Sequence, residues 1–513
     1  MLRRDMLKLT GTTVAIGAMS LGVVACGGSS GGSGGSGGSG STTLRMGLMS
    51  APTTFDPAGA EWGNRLPYYQ APYDTLLLAA SSGEIEPYLA TEWSYDESET
   101  ELTLTLRDDV TFSDDSPLTA DAVVTSMTRF KDGSGPDANY LASVDTVTAA
   151  DDHTVVITLT QPDPALLNYL TRTAGLVLNP AAAENEDLAT NPAGSGPYVL
   201  DTSATITNNI YVFTKREGYW NPDVQHYDRL EMRFIEDTTA MVNALQAKEL
   251  DYAKLANAET FAQAESSGAV LHSNELDFQG LLLLDRAGTM VEALGDVRVR
   301  QAIAHAMDRE ALLEAVALGF GTVTGQVFPT GSEAYDEALD ERYPYDVEKA
   351  KALLAEAGYA DGFAVEMPTA ASFQTAANLI AQYLSDIGIT ANYVQPGNNF
   401  IADMLAPKFG MTFMALEQNP DWQLANFMIS PTATFNPFGY QDPEVDALLE
   451  EYLTGDETTR GATMKALNTY IVEQAWFVPF YRAQGSVATN DGTTVTAMLP
   501  SNTLPNIYDV TPA

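Results

Sequence analysis

Between Asp346 and Leu416 the chain switches repeatedly between a helical and a strand period of apolar residues, and this switching restricts the fold more than any other feature. Asp346 is placed to cap a helix in which Ala350, Leu353, Leu354 and Ala357 share a face, and Gly358 stops it. A strand over Phe363–Met367, a helix over Phe373–Ile387, a strand over Ile389–Val394, a short helix over Phe400–Ala406 and a strand over Met411–Leu416 follow. Strands joined by helices need crossover connections, which are right-handed and place the strands in a largely parallel sheet. The fold class read from this stretch is α/β. Just upstream, Val299, Ile303, Met307, Leu312 and Val316 keep helical spacing from Asp296 to Gly319.

The rest of the chain mixes the two periods. Thr43–Met49, Leu102–Leu106 and His153–Thr160 alternate as half-buried strands do. Between the last two, Thr119 is a suitable N-cap, with Asp121 in the first turn of a helix through Arg129, so residues 76–190 read as an α+β portion. A chain of 513 residues exceeds what one core usually supports, and two or three lobes are expected.

The N-terminus speaks to location. Met1 to Ala25 reads as an export signal, with Arg3 and Arg4 at the positive end and a short apolar stretch over Val14–Ala25. The Arg3-Arg4-Asp5-Met6-Leu7-Lys8 run resembles a twin-arginine signal. Val23-Val24-Ala25-Cys26 looks like a lipobox, so Cys26, the chain's single cysteine, is the expected lipidation site and membrane anchor. Residues 26–42 then form the lipidated end and a glycine–serine tether, unable to bury apolar surface, with a reach of about 20 Å.

With 68 acidic and 26 basic residues, the formal net charge of −42 argues against nucleic acid and anionic lipid surfaces as partners. Such acidity also fits a cationic ligand or metal, but scattered surface acids that keep a protein soluble or adapt it to salt are the favoured account. Catalysis finds no support. The four histidines, His153, His226, His272 and His305, belong to no HExxH, Cys–His or G-x-S-x-G arrangement, and Gly194-Ser195-Gly196 precedes a proline and a strand instead of a helix. His226 and His305 as metal ligands is the alternative to two simply packed or exposed histidines. No cofactor and no metal is called for.

Several runs, in order along the chain, resemble the family 5 (dipeptide, oligopeptide and nickel) extracytoplasmic solute-binding proteins of ABC importers. They are Leu104 to Val123 (LTLRDDVTFSDDSPLTADAV), Gly194-Ser195-Gly196-Pro197-Tyr198, Tyr219-Trp220-Asn221, and Asp296-Val297-Arg298-Val299-Arg300-Gln301-Ala302 with Asp308-Arg309. Where such signature turns read Asp-Gly, this chain has Asp109 and Asp115. Aspartate also tolerates left-handed turns, and the calcium-loop alternative lacks its spacing and glutamate.

The resemblance implies a large, three-lobed type II periplasmic-binding-protein-like fold, with mixed sheets flanked by helices and a two-strand hinge. Lobe I would comprise 43–75, 191–280 and 485–513, lobe II 76–190, and lobe III 281–484. Leu276–Arg286 and Phe477–Ser486 would hold the crossings. It implies a monomer that captures a ligand, a short peptide or else an oligosaccharide or other nutrient, and delivers it to membrane permease subunits. A sensing or adhesion lipoprotein that kept the fold is the alternative from another class.

Candidate ligand contacts come from two sources. In open α/β sheets ligands sit beyond strand carboxyl ends, which singles out Glu417-Gln418-Asn419-Pro420-Asp421-Trp422 and, within it, Asn419, Asp421 and Trp422. In peptide-binding members an acid after a tryptophan anchors the peptide amine, but here Asp421 precedes Trp422, and Asp421 is either a partner for a ligand cation or a loop cap. By the same resemblance Trp62, Tyr68 and Tyr69 fall in a cleft-lining segment, Phe278 and Gln279 at the first crossing, and Tyr481 and Arg482 at the second. Core packing is the competing account for the aromatics, and a structural ion pair for Arg482. The reading places the 296–309 helix and the 416–422 loop beside the inter-lobe groove.

Overall fold

The structure is a computed structural model that describes residues 42–513 apart from 81, 418, 500 and 501. The expected export signal, Cys26, the glycine–serine tether and Gln418 therefore lie outside the described residues.

Two long strands, Val270–Leu283 and Phe477–Thr489, run antiparallel from the Val270↔Thr489 pair to the Leu282↔Phe477 pair and form the spine of a nine-stranded sheet. At one end Phe477–Thr489 meets Tyr252–Lys254, which leads through Thr43–Leu48 and Arg229–Phe234 to Ile210–Lys215 and Tyr198–Leu200. Thr43–Leu48 is parallel to both of its neighbours. At the other end Met411–Glu417 pairs antiparallel with Asp277–Leu283. The register of the two long strands shifts between Glu275 and Asp277 and between Gln279 and Gly280. The second shift accommodates Pro479, which a regular central strand would not accept. Gly280 is required there because a Cβ would come within 2.5 Å of the Val478 carbonyl.

The expected largely parallel sheet over 363–416 forms only in part. Phe363–Pro368 and Ile389–Val394 pair in parallel through the helix Gln374–Asp386, whereas Met411–Glu417 takes its hydrogen bonds from the long strand. Met411 to Met414 is buried on both faces although its strand is the outermost of this sheet, because apolar cores cover both sides, Met411 and Phe413 packing in one and Met414 and Leu416 in another. The 296–319 stretch is two helices, Val297–Ala306 and Arg309–Ala317. Met307 turns extended between them, and Asp308 starts the second by accepting from the Ala311 N–H at 3.0 Å. Asp346 caps Val347–Glu356 as expected, but Thr119, at the start of Ala120–Asp132, makes no side-chain capping bond.

Residues 76–190 carry an antiparallel sheet of their own, Ala90–Tyr95, Glu101–Leu106, Thr154–Leu159 and Val144–Asp151, with Ala120–Asp132 packed over a separate apolar core. Asp115 adopts a left-handed φ of 67°, as its turn demands. Asp109 does not; it instead holds the Arg107 guanidinium in a bidentate pair at 2.8 and 2.7 Å.

Asp74, fully buried, lies at the centre of the knot that joins this portion to the rest, through Arg216 on the Thr111 and Phe112 carbonyls and the Tyr88 and Tyr219 hydroxyls 2.9 Å apart. Its carboxylate accepts from Ser195 Oγ at 2.8 Å, Tyr219 OH at 2.7 Å and Trp220 Nε1 at 3.2 Å. Arg216 closes the knot by donating to the carbonyls of Ser195, Thr111 and Phe112 at 2.6–2.8 Å. The glycines beside Ser195 are steric necessities, since a Cβ on Gly194 or Gly196 would lie 2.2 or 2.5 Å from the Pro72 backbone.

Candidate ligand-binding site

A cavity of about 550 Å³ opens where three parts of the chain meet. Trp62, Asn274, Glu275 and Asn502 come from the large sheet and its connections, Asn168 and Arg172 from residues 76–190, and Glu333, Asp421 and Tyr452 from residues 281–484. A second cavity of about 430 Å³ lies along the long strands, with Lys254, Asp277, Gln279, Glu417 and Tyr481 in its walls. The two adjoin: Glu275 faces the first, and Leu276 and Asp277 the second. Residues two apart on a regular strand share a face, so the register shift at Leu276 is what sends these neighbouring acids into different chambers.

The electrostatics of the walls follow from burial and like charge. Asp277 and Glu417 stand directly opposite each other across the strand pair. Burial and the charge of Glu417 push Asp277 up to about 6, against a smaller opposing pull from Lys254. Lys254, 7% exposed, is pushed down to about 8 by burial and donates to the Thr503 carbonyl at 3.2 Å. The surrounding protein raises Glu417, offset in part by Arg172, whose charge thus reaches from one chamber to the other. Burial likewise raises Asp421, which accepts from the Ala334 N–H at 3.2 Å and from Ser332.

Among the residues singled out by sequence, Trp62 and Asp421 line the first cavity, and Gln279 and Tyr481 the second, the Tyr481 hydroxyl donating to Gln279 Oε1 at 2.8 Å. The Trp62 indole N–H is buried without a partner. Trp422 stands behind the wall, stacked at 4.9 Å on Tyr452, which does face the cavity. Asn419 is buried and faces neither cavity.

Other expectations need correction. Tyr68 and Tyr69 are fully buried, and the Tyr69 hydroxyl is committed to the Thr54 carbonyl at 3.1 Å. Phe278 is fully buried in the apolar core around Trp476. Arg482 is fully buried as well, lying 3.8 Å from both Glu275 and Asp340 and donating to the Phe328 carbonyl at 3.1 Å. It is a structural ion-pair residue. The 296–309 stretch lines neither cavity. Its apolar face is core, and its arginines bind carbonyls: Arg300 that of Gln474 at 2.9 Å, and Arg309 those of Pro479 at 2.9 Å and Tyr343 at 2.7 Å. His226 and His305 bond the carbonyls of Tyr508 and Pro344, and among the described residues no group of three or more metal-ligating side chains forms.

Sequence reasoning missed Arg172, Glu275, Glu333 and Tyr452 in the first cavity and Lys254 and Asp277 in the second. Lys254 carried a signal, a charge set within the apolar run Tyr252–Ala256.

Comparison with known proteins agrees with this architecture. The glutathione-binding protein GsiB of Shigella dysenteriae is 26% identical over 449 residues, covering 83% of this chain and 86% of the relative. The structure of HbpA2 from Haemophilus parasuis is 26% identical with a TM-score of 0.80, covering 92% of this chain and 100% of the other. The PBP AgaA of A. tumefaciens R10, in complex with agropinic acid, is 27% identical with a TM-score of 0.73, covering 92% and 99%. These neighbours have the type II periplasmic-binding-protein fold, and the relatives are solute-binding proteins, not enzymes. Residues 84–437, well over half of the chain, match "Bacterial extracellular solute-binding proteins, family 5 Middle", and the protein belongs to that family of ABC-importer substrate-binding proteins.

Proposed function

We propose that the protein captures a short peptide in the two adjoining cavities and hands it to a membrane permease. The observation that carries this reading is the first cavity: three separate stretches of chain wall it, and it offers both a cation, Arg172, and carboxylates, Glu333 and Asp421. A peptide presents the matching groups, an ammonium and a carboxylate joined by a hydrogen-bonding backbone. The GsiB relative is named for glutathione, itself a tripeptide. On this reading the stretches 43–75 with 191–280 and 485–513, then 76–190, then 281–484, act as three lobes that close around the ligand about the long strands, and contacts across the cavity favour the closed population. Isothermal calorimetry against di- to pentapeptides tests it. Binding of at least one length class is expected, and no heat with any peptide overturns the proposal.

A sugar-like ligand is the second reading, favoured by Trp62 and Tyr452 in one cavity wall and by the AgaA neighbour's agropinic acid complex. Tryptophan quenching by oligosaccharides but not by peptides would establish it.

The protein is further proposed to work outside the cytoplasm as a monomer anchored through lipidated Cys26. No helix among the described residues is long and apolar enough to cross a membrane. Cys26→Ser is expected to move the protein from the detergent phase to the aqueous phase on partitioning; retention with the membranes contradicts the anchor.

A further inference from the structure

Within that peptide reading, the cavity walls carry more negative charge than a simple peptide can answer. Glu275, Glu333 and Asp421 face the first cavity and Asp277 and Glu417 the second, against Arg172 and Lys254. Glu275 is already engaged by Thr330 Oγ1 at 3.2 Å and by Arg482. Asp421 and Glu333 are different: the charge of Glu333 raises the cost of charging Asp421, and among the described residues neither takes part in an ion pair. Beside them Trp62, 5% exposed, adds an aromatic ring and an unpartnered indole N–H that suits a peptide carbonyl, and Tyr452 borders the site with its ring stacked on Trp422 and the Arg460 guanidinium 5.7 Å from its centroid. Aromatic faces next to paired carboxylates attract a cation and do little for an anion. The cross-strand pair Asp277↔Glu417 repeats the pattern in the second cavity, since like charges directly opposite on antiparallel strands destabilise the pair unless a cation lies between them. A peptide contributes one ammonium and one carboxylate, so its termini alone leave the excess unanswered.

We propose that the ligand is a cationic peptide whose lysine or arginine side chain sits in the first cavity against Glu333 and Asp421, with Trp62 and Tyr452 alongside. Calorimetry with Ala-Ala-Ala, Ala-Lys-Ala, Ala-Glu-Ala, glutathione and 1,5-diaminopentane tests this on the full chain. Ala-Lys-Ala is expected to bind roughly tenfold tighter than Ala-Ala-Ala, the worth of one charge-assisted contact, with Ala-Glu-Ala and glutathione weaker still. Glu333→Gln, at an exposed position, and Asp421→Asn should each shrink that ratio, and together bring it to about one; a thermal melt of each variant shows that it is folded. Equal affinity for Ala-Ala-Ala and Ala-Lys-Ala, a preference for glutathione, or a lysine preference undiminished in folded Glu333→Gln overturns the inference and leaves the peptide reading standing. If no peptide binds but 1,5-diaminopentane does, in a manner sensitive to Glu333→Gln, the peptide reading falls and the cation site stands. If neither binds, both fall.

Discussion

The knot around Asp74 and the walls of the two cavities treat polar side chains in opposite ways. In the knot every group is matched: three donors on one carboxylate, and an arginine on three carbonyls. In the cavities an indole N–H lacks a partner, and acids face one another. Matched buried polar groups stabilise and specify a structure, whereas unmatched ones carry a free-energy cost that a ligand can relieve. The residues that carry the family resemblance, Ser195, Tyr219, Trp220, Thr111 and Phe112, belong to the matched region. They identify the fold. On the proposed reading, residues outside those motifs choose the ligand.

This contrast can be broken most forcefully at Asp74. Asp74→Ala strands three buried donors and is expected to cost about 3–5 kcal/mol in urea unfolding. A loss under 1 kcal/mol would mean that the knot is not a structural tie. Trp422→Ala comes next. Although Trp422 sits in the segment best placed for ligand contact, its stack on Tyr452 and its packing in the core predict a stability loss of about 3 kcal/mol in addition to weaker binding. Binding loss at unchanged stability would return it to the cavity.

The smallest effect has the opposite sign. A free aspartate titrates near 3.9, while Asp277 is held up to about 6, so the folded protein binds more protons between those values and this residue's contribution to stability falls as pH rises through that window. The full shift corresponds to at most about 3 kcal/mol, and contact with cavity water reduces it to about 1–2 kcal/mol. Asp277→Asn should therefore stabilise the empty protein by that amount at pH 7 and by nothing at pH 3.5. Lys254, at about 8, keeps its charge across this range while Glu417, raised by burial, does not stay neutral throughout, so the comparison is made at both pH values. A destabilised variant at pH 7 would show that Asp277 is already matched.

Much of the fold was legible because its elements obey local rules. Asp346 caps, Gly358 terminates, and the strands near 363 and 389 pair as their connecting helix requires. The place of Met411–Glu417 was not legible. A run apolar on both faces fits either sheet, and only the edge offered by a distant strand decides between them. The site was half legible. Asp421 and Trp62 stand where strand ends and resemblance put them, but aromatic type could not separate cavity-facing Trp62 from core Tyr69 and Phe278. Arg172 and Glu333 come from connections with no period at all, and a register shift at Leu276, invisible in sequence, directs Glu275 and Asp277.

An experimental density map of the protein with its co-purified ligand tests the central claim most directly. Density running between Trp62, Arg172 and Asp421, reaching toward Asp277 and Glu417, is the predicted result. A ligand bound elsewhere on the molecule, with both chambers holding only water, would contradict it.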